Sequence, residues 1–151
     1  MRFPIKSLKT FPLFFILYSL FFATACSKSD DTPQPATLAV TYNNVSGDWQ
    51  LVEFNSHKLP EGTYLRMSLS RRDHAFTLTD NLNSMYGQTR TGTFTLTEDE
   101  DTETTILSGH YDNGVGEWNH EYTVTRLTAT ELHLLSTDSL RESQVFQRIQ
   151  E

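Results

Sequence analysis

The sequence predicts an all-β fold: an antiparallel, up-and-down barrel of eight strands, placed after an N-terminal signal peptide and a linker. Three features predict it. From about Val45 onward, apolar residues alternate with polar ones at a period of two, which sets them on one face of a pleated strand. Threonine fills many of the polar positions, where its β-branch suits the pleat. Turn-forming clusters interrupt the pattern at short intervals, and no window carries the stripe of an amphipathic helix.

The strands follow in order. Trp49 and Leu51 alternate with Asp48 and Gln50 before the turn Pro60-Glu61-Gly62. Leu65, Met67 and Leu69 alternate with Arg66 and Ser68, ahead of Arg71-Arg72-Asp73. Phe76 and Leu78 are set against Thr77 and Thr79 and run into a loop over 81–87. Phe94 and Leu96 alternate with Thr93, Thr95 and Thr97, and an acidic turn over 98–102 closes that strand. A fifth strand ends at Asn113-Gly114-Val115-Gly116. Tyr122 and Val124 then alternate with Thr123 and Thr125 up to Ala129-Thr130, and Leu132 and Leu134 flank His133 before a turn over 138–141. Phe146 marks the last strand. Links this short make hairpins. A chain of hairpins hides its edges best by closing on itself. Eight strands enclose just enough space for side chains or one small ligand.

Ahead of the barrel lie Arg2, Lys6 and Lys9, an apolar run over 11–22, and the small residues Ala23, Thr24 and Ala25. That order reads as an export signal over residues 1–25. The apolar run is shorter than the roughly 20 residues that a membrane-spanning helix needs, and Pro12 sits near its start. Cys26 is the only cysteine, so no disulfide forms within one chain. Ala23-Thr24-Ala25-Cys26 resembles the lipobox of bacterial lipoproteins, which implies cleavage before Cys26, a diacylglycerol thioether on its sulfur and attachment to the cell envelope. Ser27-Lys28-Ser29-Asp30-Asp31 resembles the acidic tract that directs lipoproteins of the Bacteroidota to the outer face of the outer membrane. Residues 26–44 read as the lipidated cysteine and a flexible tether, within which residues 32–37, with Pro33 and Pro35, form a stiffer polar spacer. Residues 45–151 read as the barrel domain.

The formal charge of −7 falls to −10 once the three cations of the signal are removed. A domain so acidic repels nucleic acid, which excludes that class of partner.

Gly47-Asp48-Trp49-Gln50-Leu51 at the start and Phe146-Gln147-Arg148 at the end resemble the opening and closing motifs of the small lipocalin-like lipoproteins of the Bacteroidota. Gly92-Thr93-Phe94-Thr95-Leu96 and the hairpin from Tyr122 to Leu134 resemble two further strands of that family. The resemblance implies a barrel plugged at one end by Trp49 stacked on Arg148, a small or hydrophobic ligand, no cofactor and no catalysis. The stretch GDWQLVEFNSHKLP also resembles the opening of META-domain lipoproteins. That alternative implies a filled barrel that works as an envelope scaffold without a ligand. A cavity of roughly 300 Å³ separates a binder of drug-sized molecules from such a scaffold.

The open end, opposite the plug, is the expected binding site, with Met67, Trp118 and Tyr122 as its wall. Trp118 and Tyr122 read more simply as a continuation of the inward face with Val124. His110 and His120 flank one loop, and a hairpin symmetric about Val115 would set the two rings face to face across it. No third ligand stands at a recognisable spacing, so no metal is expected. Glu98, Asp99, Glu100, Asp101 and Glu103 crowd one hairpin tip without the ordered glycine bend of a calcium loop. There is no glycine-flanked nucleophilic serine, zinc-protease helix or phosphate loop.

Overall fold

A computed structural model describes residues 35–150, apart from Met85 and Asn113. The expected signal peptide, Cys26 and the acidic tract lie outside the described residues.

Among the described residues there are ten strands and one short helix. The wall is built from β1 (Gly47–Phe54), β3 (Leu65–Leu69), β4 (Ala75–Asp80), β5 (Gln88–Asp99), β6 (Thr104–Tyr111), β8 (Tyr122–Leu127), β9 (Glu131–Ser136) and β10 (Ser143–Arg148), each antiparallel to the next. Two short arms add to it: β2 (His57–Lys58) folds back on β1, and β7 (Gly116–Glu117) pairs with β6. The sheet closes where β1 meets β10, with Trp49 opposite Arg148 and Leu51 opposite Phe146. This is the closed, eight-stranded antiparallel barrel that the alternation predicts. Register shifts between Leu51 and Glu53 and between Val124 and Arg126 bend two of the strands, as bulges do.

The inward set is the one that periodicity marks. Leu51, Met67, Leu69, Phe76, Phe94, Leu107, Val124, Leu132, Leu134 and Phe146 are buried, while Thr93, Thr95 and Thr97 face water. Removing apolar surface from water at about 25 cal/mol per Å² is the main force that closes the wall. Two inward positions hold glycine because neighbouring atoms occupy the space. A Cβ at Gly92 would lie 2.0 Å from the His110 carbonyl oxygen and 2.7 Å from the ring of Phe76, and one at Gly109 would lie 2.2 Å from the indole of Trp118.

Two differences from the sequence reading concern the ends of elements. β5 runs on to Asp99, because Glu98 and Asp99 still pair with Thr105 and Thr104, so the acidic turn starts later than expected. The Thr102 hydroxyl, and after it the amide of Asp101, which donates to Asp99 Oδ1 at 3.0 Å, hold the Asp99 carboxyl below its ordinary value. The second difference is a one-turn helix, α1 (Tyr42–Val45), in the stretch read as the end of the tether. Residues 38–45 lie against the barrel. The amide of Leu38 donates to the carbonyl of Leu127 at 2.8 Å, and the Tyr42 ring stacks on His74 at 3.8 Å. Four residues complete barely one turn, too few to show a helical stripe in sequence.

Candidate functional site

At the end where β1 begins and β10 finishes, α1 lies across the barrel. A helix leaves its last carbonyls without partners inside itself. Here two side chains from the wall supply them. The Trp49 indole N–H donates to the Val45 carbonyl at 2.8 Å. Arg148 donates from Nη1 to the Ser46 carbonyl at 2.7 Å, from Nη2 to the Asn44 carbonyl at 2.9 Å, and from Nε to the Ala129 carbonyl at 2.8 Å. Its guanidinium carbon sits 4.1 Å from the centre of the Trp49 ring. Such a stack contributes about 0.5–2 kcal/mol. Burial lowers the Arg148 pKa from its ordinary value and Asp48 opposes the shift. Gly47 sits beneath this cation at φ 130°, and a Cβ there would fall 2.2 Å from Nη1. Only glycine meets both conditions. This end is shut, and its polar groups serve one another.

The other end holds a cavity of about 150 Å³. Met67, Trp118 and Tyr122, the three wall residues expected from sequence, all line it, together with Leu78, Tyr111 and Phe146. Trp118 stands in the connection after β7, its amide bonded to the Gly109 carbonyl at 2.7 Å, so it is not a continuation of the β8 face. Its ring meets Phe76 edge-on at 5.0 Å and Tyr122 at 6.3 Å. The Tyr122 hydroxyl accepts from Gln144 Nε2 at 3.1 Å, which leaves its own proton free to donate. Burial raises the Tyr122 pKa, so the phenol keeps that proton at neutral pH.

Sequence reasoning missed the polar part of this wall. Arg90 lines the cavity, and its guanidinium pairs with the buried carboxylate of Asp80. The signal was present in the alternation. Asp80 follows Phe76 and Leu78 at a spacing of two, and Arg90 precedes Gly92 and Phe94 in the same way, so both belong to the inward face. Among the described residues, two buried side-chain nitrogens have no hydrogen-bond partner, Arg90 Nε and Trp118 Nε1. Both residues belong to this cavity.

His120 also lines the cavity and bonds through Nδ1 to Asp138, with Glu142 3.8 Å from its Nε2. Burial raises the Asp138 pKa, but bonds from Ser136 and His120 outweigh it and hold the carboxyl below its ordinary value. Ser136 donates to Asp138 at 2.9 Å, so the carboxylate stands between hydroxyl and imidazole. An activated nucleophile needs the base next to the hydroxyl. The facing of His110 and His120 that a hairpin symmetric about Val115 would give does not occur. His110 pairs in register with Glu117 and bonds to it at 2.9 Å, because the β6–β7 arm is shifted from symmetry about Val115. No group of three or more His, Cys, Asp or Glu among the described residues is arranged to hold a metal ion.

A wider hollow of about 540 Å³ lies under the loop over 58–63, lined by Gln50, Val52, Lys58, Glu61 and Gln147 among others. It is an open, polar groove on the outer wall. The smaller cavity is the better candidate, because it is set among aromatic side chains.

Comparison with known proteins bears on this geometry. No curated protein matches the chain. The fold is similar to that of a lipocalin-like protein from Bacteroides uniformis ATCC 8492, at 15% identity and a TM-score of 0.50, over 70% of this chain and 99% of that one. A bovine odorant binding protein, solved in complex with a selenium-containing odorant, is similar at 14% identity and a TM-score of 0.40, over 78% of each chain. The family model for the lipocalin-like domain matches residues 45–134. The chain belongs to the lipocalin-like domain family.

Proposed function

We propose that this protein is a lipid-anchored, extracytoplasmic barrel that binds a compact, largely apolar ligand at its open end and catalyses nothing. The observation that carries the reading is the aromatic-lined cavity of about 150 Å³ opposite the Trp49–Arg148 plug. Apolar cavities of about this size accept benzene. The volume is half of the roughly 300 Å³ at which pockets for drug-sized molecules begin, so the ligand is smaller than those. The same figure favours the runner-up, an envelope scaffold whose barrel is nearly filled. The anchor rests on Ala23-Thr24-Ala25-Cys26 and the basic and apolar segments before it.

Native mass spectrometry after exposure to an envelope metabolite extract separates the two readings. A retained small molecule supports binding, and a bare mass in repeated trials supports the scaffold. For the anchor, Cys26→Ser releases the protein from membranes; tight association that survives the change contradicts lipidation.

A further inference from the structure

We propose that the open end docks a cationic segment of another polypeptide, which inserts one aromatic side chain into the cavity and lays apolar and basic residues on the loops around it. The proposal rests on the open-end binding reading above and makes the compact apolar ligand part of a protein. Among the described residues, six large apolar side chains are exposed, and five stand at this end. Phe54 ends β1, Leu82 and Tyr86 lie between β4 and β5, Val115 between β6 and β7, and Leu140 between β9 and β10. The turns of the closed end, over 70–74, 100–103 and 128–130, carry none. Single exposed apolar residues are ordinary, but a set gathered around a cavity marks an interaction site. Polar residues and glycine serve turns as well or better, so the fold gives no reason for Tyr86, 82% exposed, or Val115, 72% exposed.

The tips are tied to the cavity wall. The amide of Leu82 donates to Asp80 Oδ1 at 3.2 Å, and that of Leu140 to Asp138 Oδ1 at 3.0 Å. These carboxylates pair with Arg90 and His120, both of which line the cavity. Phe54 stands directly across from Gln144, another lining residue. Loops held in this way cost less to dock against than loops that must first be ordered. Size and charge then choose the occupant. A cavity of about 150 Å³ holds about one benzene ring, the end of a single phenylalanine, and such anchors supply most of the energy of an interface. The connections over 81–87, 112–121 and 137–142 hold five acids (Asp112, Glu117, Glu121, Asp138 and Glu142) and one cation, Arg141. A second copy of the chain would set acid against acid, and an anionic lipid surface would be repelled in the same way. Apolar residues flanked by lysine or arginine match both features. The chain enters the barrel at the other end, where Leu38 bonds to Leu127, and leaves this surface clear.

The test uses the full chain carrying Cys26→Ser, so that no lipid competes, titrated by calorimetry with an amphipathic Leu/Lys peptide that bears one Phe amid its apolar face. The peptide is expected to bind, and exchange of its Phe for Ala to weaken it about tenfold. Tyr86→Ser, Val115→Ser and Leu140→Ser together should weaken it about tenfold as well, with the urea midpoint unchanged because all three side chains are exposed. Glu100→Gln with Glu103→Gln, at the acidic tip of the closed end, should leave the affinity within about twofold. Equal weakening at that tip, equal binding of a Leu/Glu peptide, or indifference to the Phe overturns the proposal. Dimerisation lost in the triple variant, or its loss of binding to phosphatidylcholine vesicles, assigns the end to a second copy or to lipid and overturns it too. Toluene separates the proposal from the reading beneath it. Toluene that binds while every peptide fails overturns the polypeptide and leaves the binding reading standing; failure of both overturns the two together.

Discussion

Each end of the barrel carries a tryptophan and an arginine, and the two pairs are treated in opposite ways. At the closed end, Trp49 and all three nitrogens of Arg148 donate to carbonyls of the chain. At the open end, Trp118 Nε1 and Arg90 Nε are buried and donate to nothing in the chain. The same two residue types therefore hold the fold together in one place and stand partly unpaired in the other. Saturated groups stabilise; buried groups left unpaired cost stability.

That contrast can be tested by mutation, and the largest effects belong at the plug. Trp49→Ala empties a fully buried site and leaves the Val45 carbonyl unmet, so urea denaturation should show a loss of about 3–5 kcal/mol. Arg148→Ala removes the stack and three hydrogen bonds, with an expected loss of about 2–4 kcal/mol in the same measurement. Arg148→Lys should recover only part of it, since one ammonium cannot span three carbonyls as a planar fork does. Gly47→Ala forces a side chain into positive φ against the guanidinium and should lower stability by about 1–3 kcal/mol.

Smaller effects are expected at the open end, where they fall on ligand and rim and not on the fold. The Asp138 pKa lies below its unfolded value, so its contribution is full above that value and is lost as pH falls through the folded pKa. Acidification below about pH 4 should therefore loosen the turn over 138–141, read as faster hydrogen exchange there than at the plug. Asp138→Asn should remove most of this pH dependence. Unchanged acid sensitivity in that variant would assign it to other carboxylates.

The wall of the barrel was legible because β-strands write themselves at period two and this chain marks the wet positions with threonine. The closure was legible from Trp49 and Arg148 through the family resemblance, since nothing in local periodicity says that the first and last strands pair. Other features left weaker traces. Helix α1 has too few residues for a stripe, and its carbonyls are completed by side chains up to 104 positions away. The His110–His120 facing failed on register: one shifted hairpin exchanges a histidine partner for Glu117. Asp80 and Arg90 were written in the alternation but are charged, and charged residues at strand ends are ordinarily solvated. The burial of Asp80 depends on its pairing with the half-exposed Arg90, a tertiary fact. Met67, Trp118 and Tyr122 come from separate parts of the chain, and only the closed wall brings them to one cavity.

The contrast between the ends reduces to one pair of variants, Trp49→Phe and Trp118→Phe, compared by equilibrium urea denaturation in the absence of ligand. Each loses an indole N–H and some ring volume. If the closed end is built for stability and the open end for binding, Trp49→Phe loses about 2–4 kcal/mol and Trp118→Phe less than about 1. Equal losses, or a greater loss at Trp118, would contradict that division.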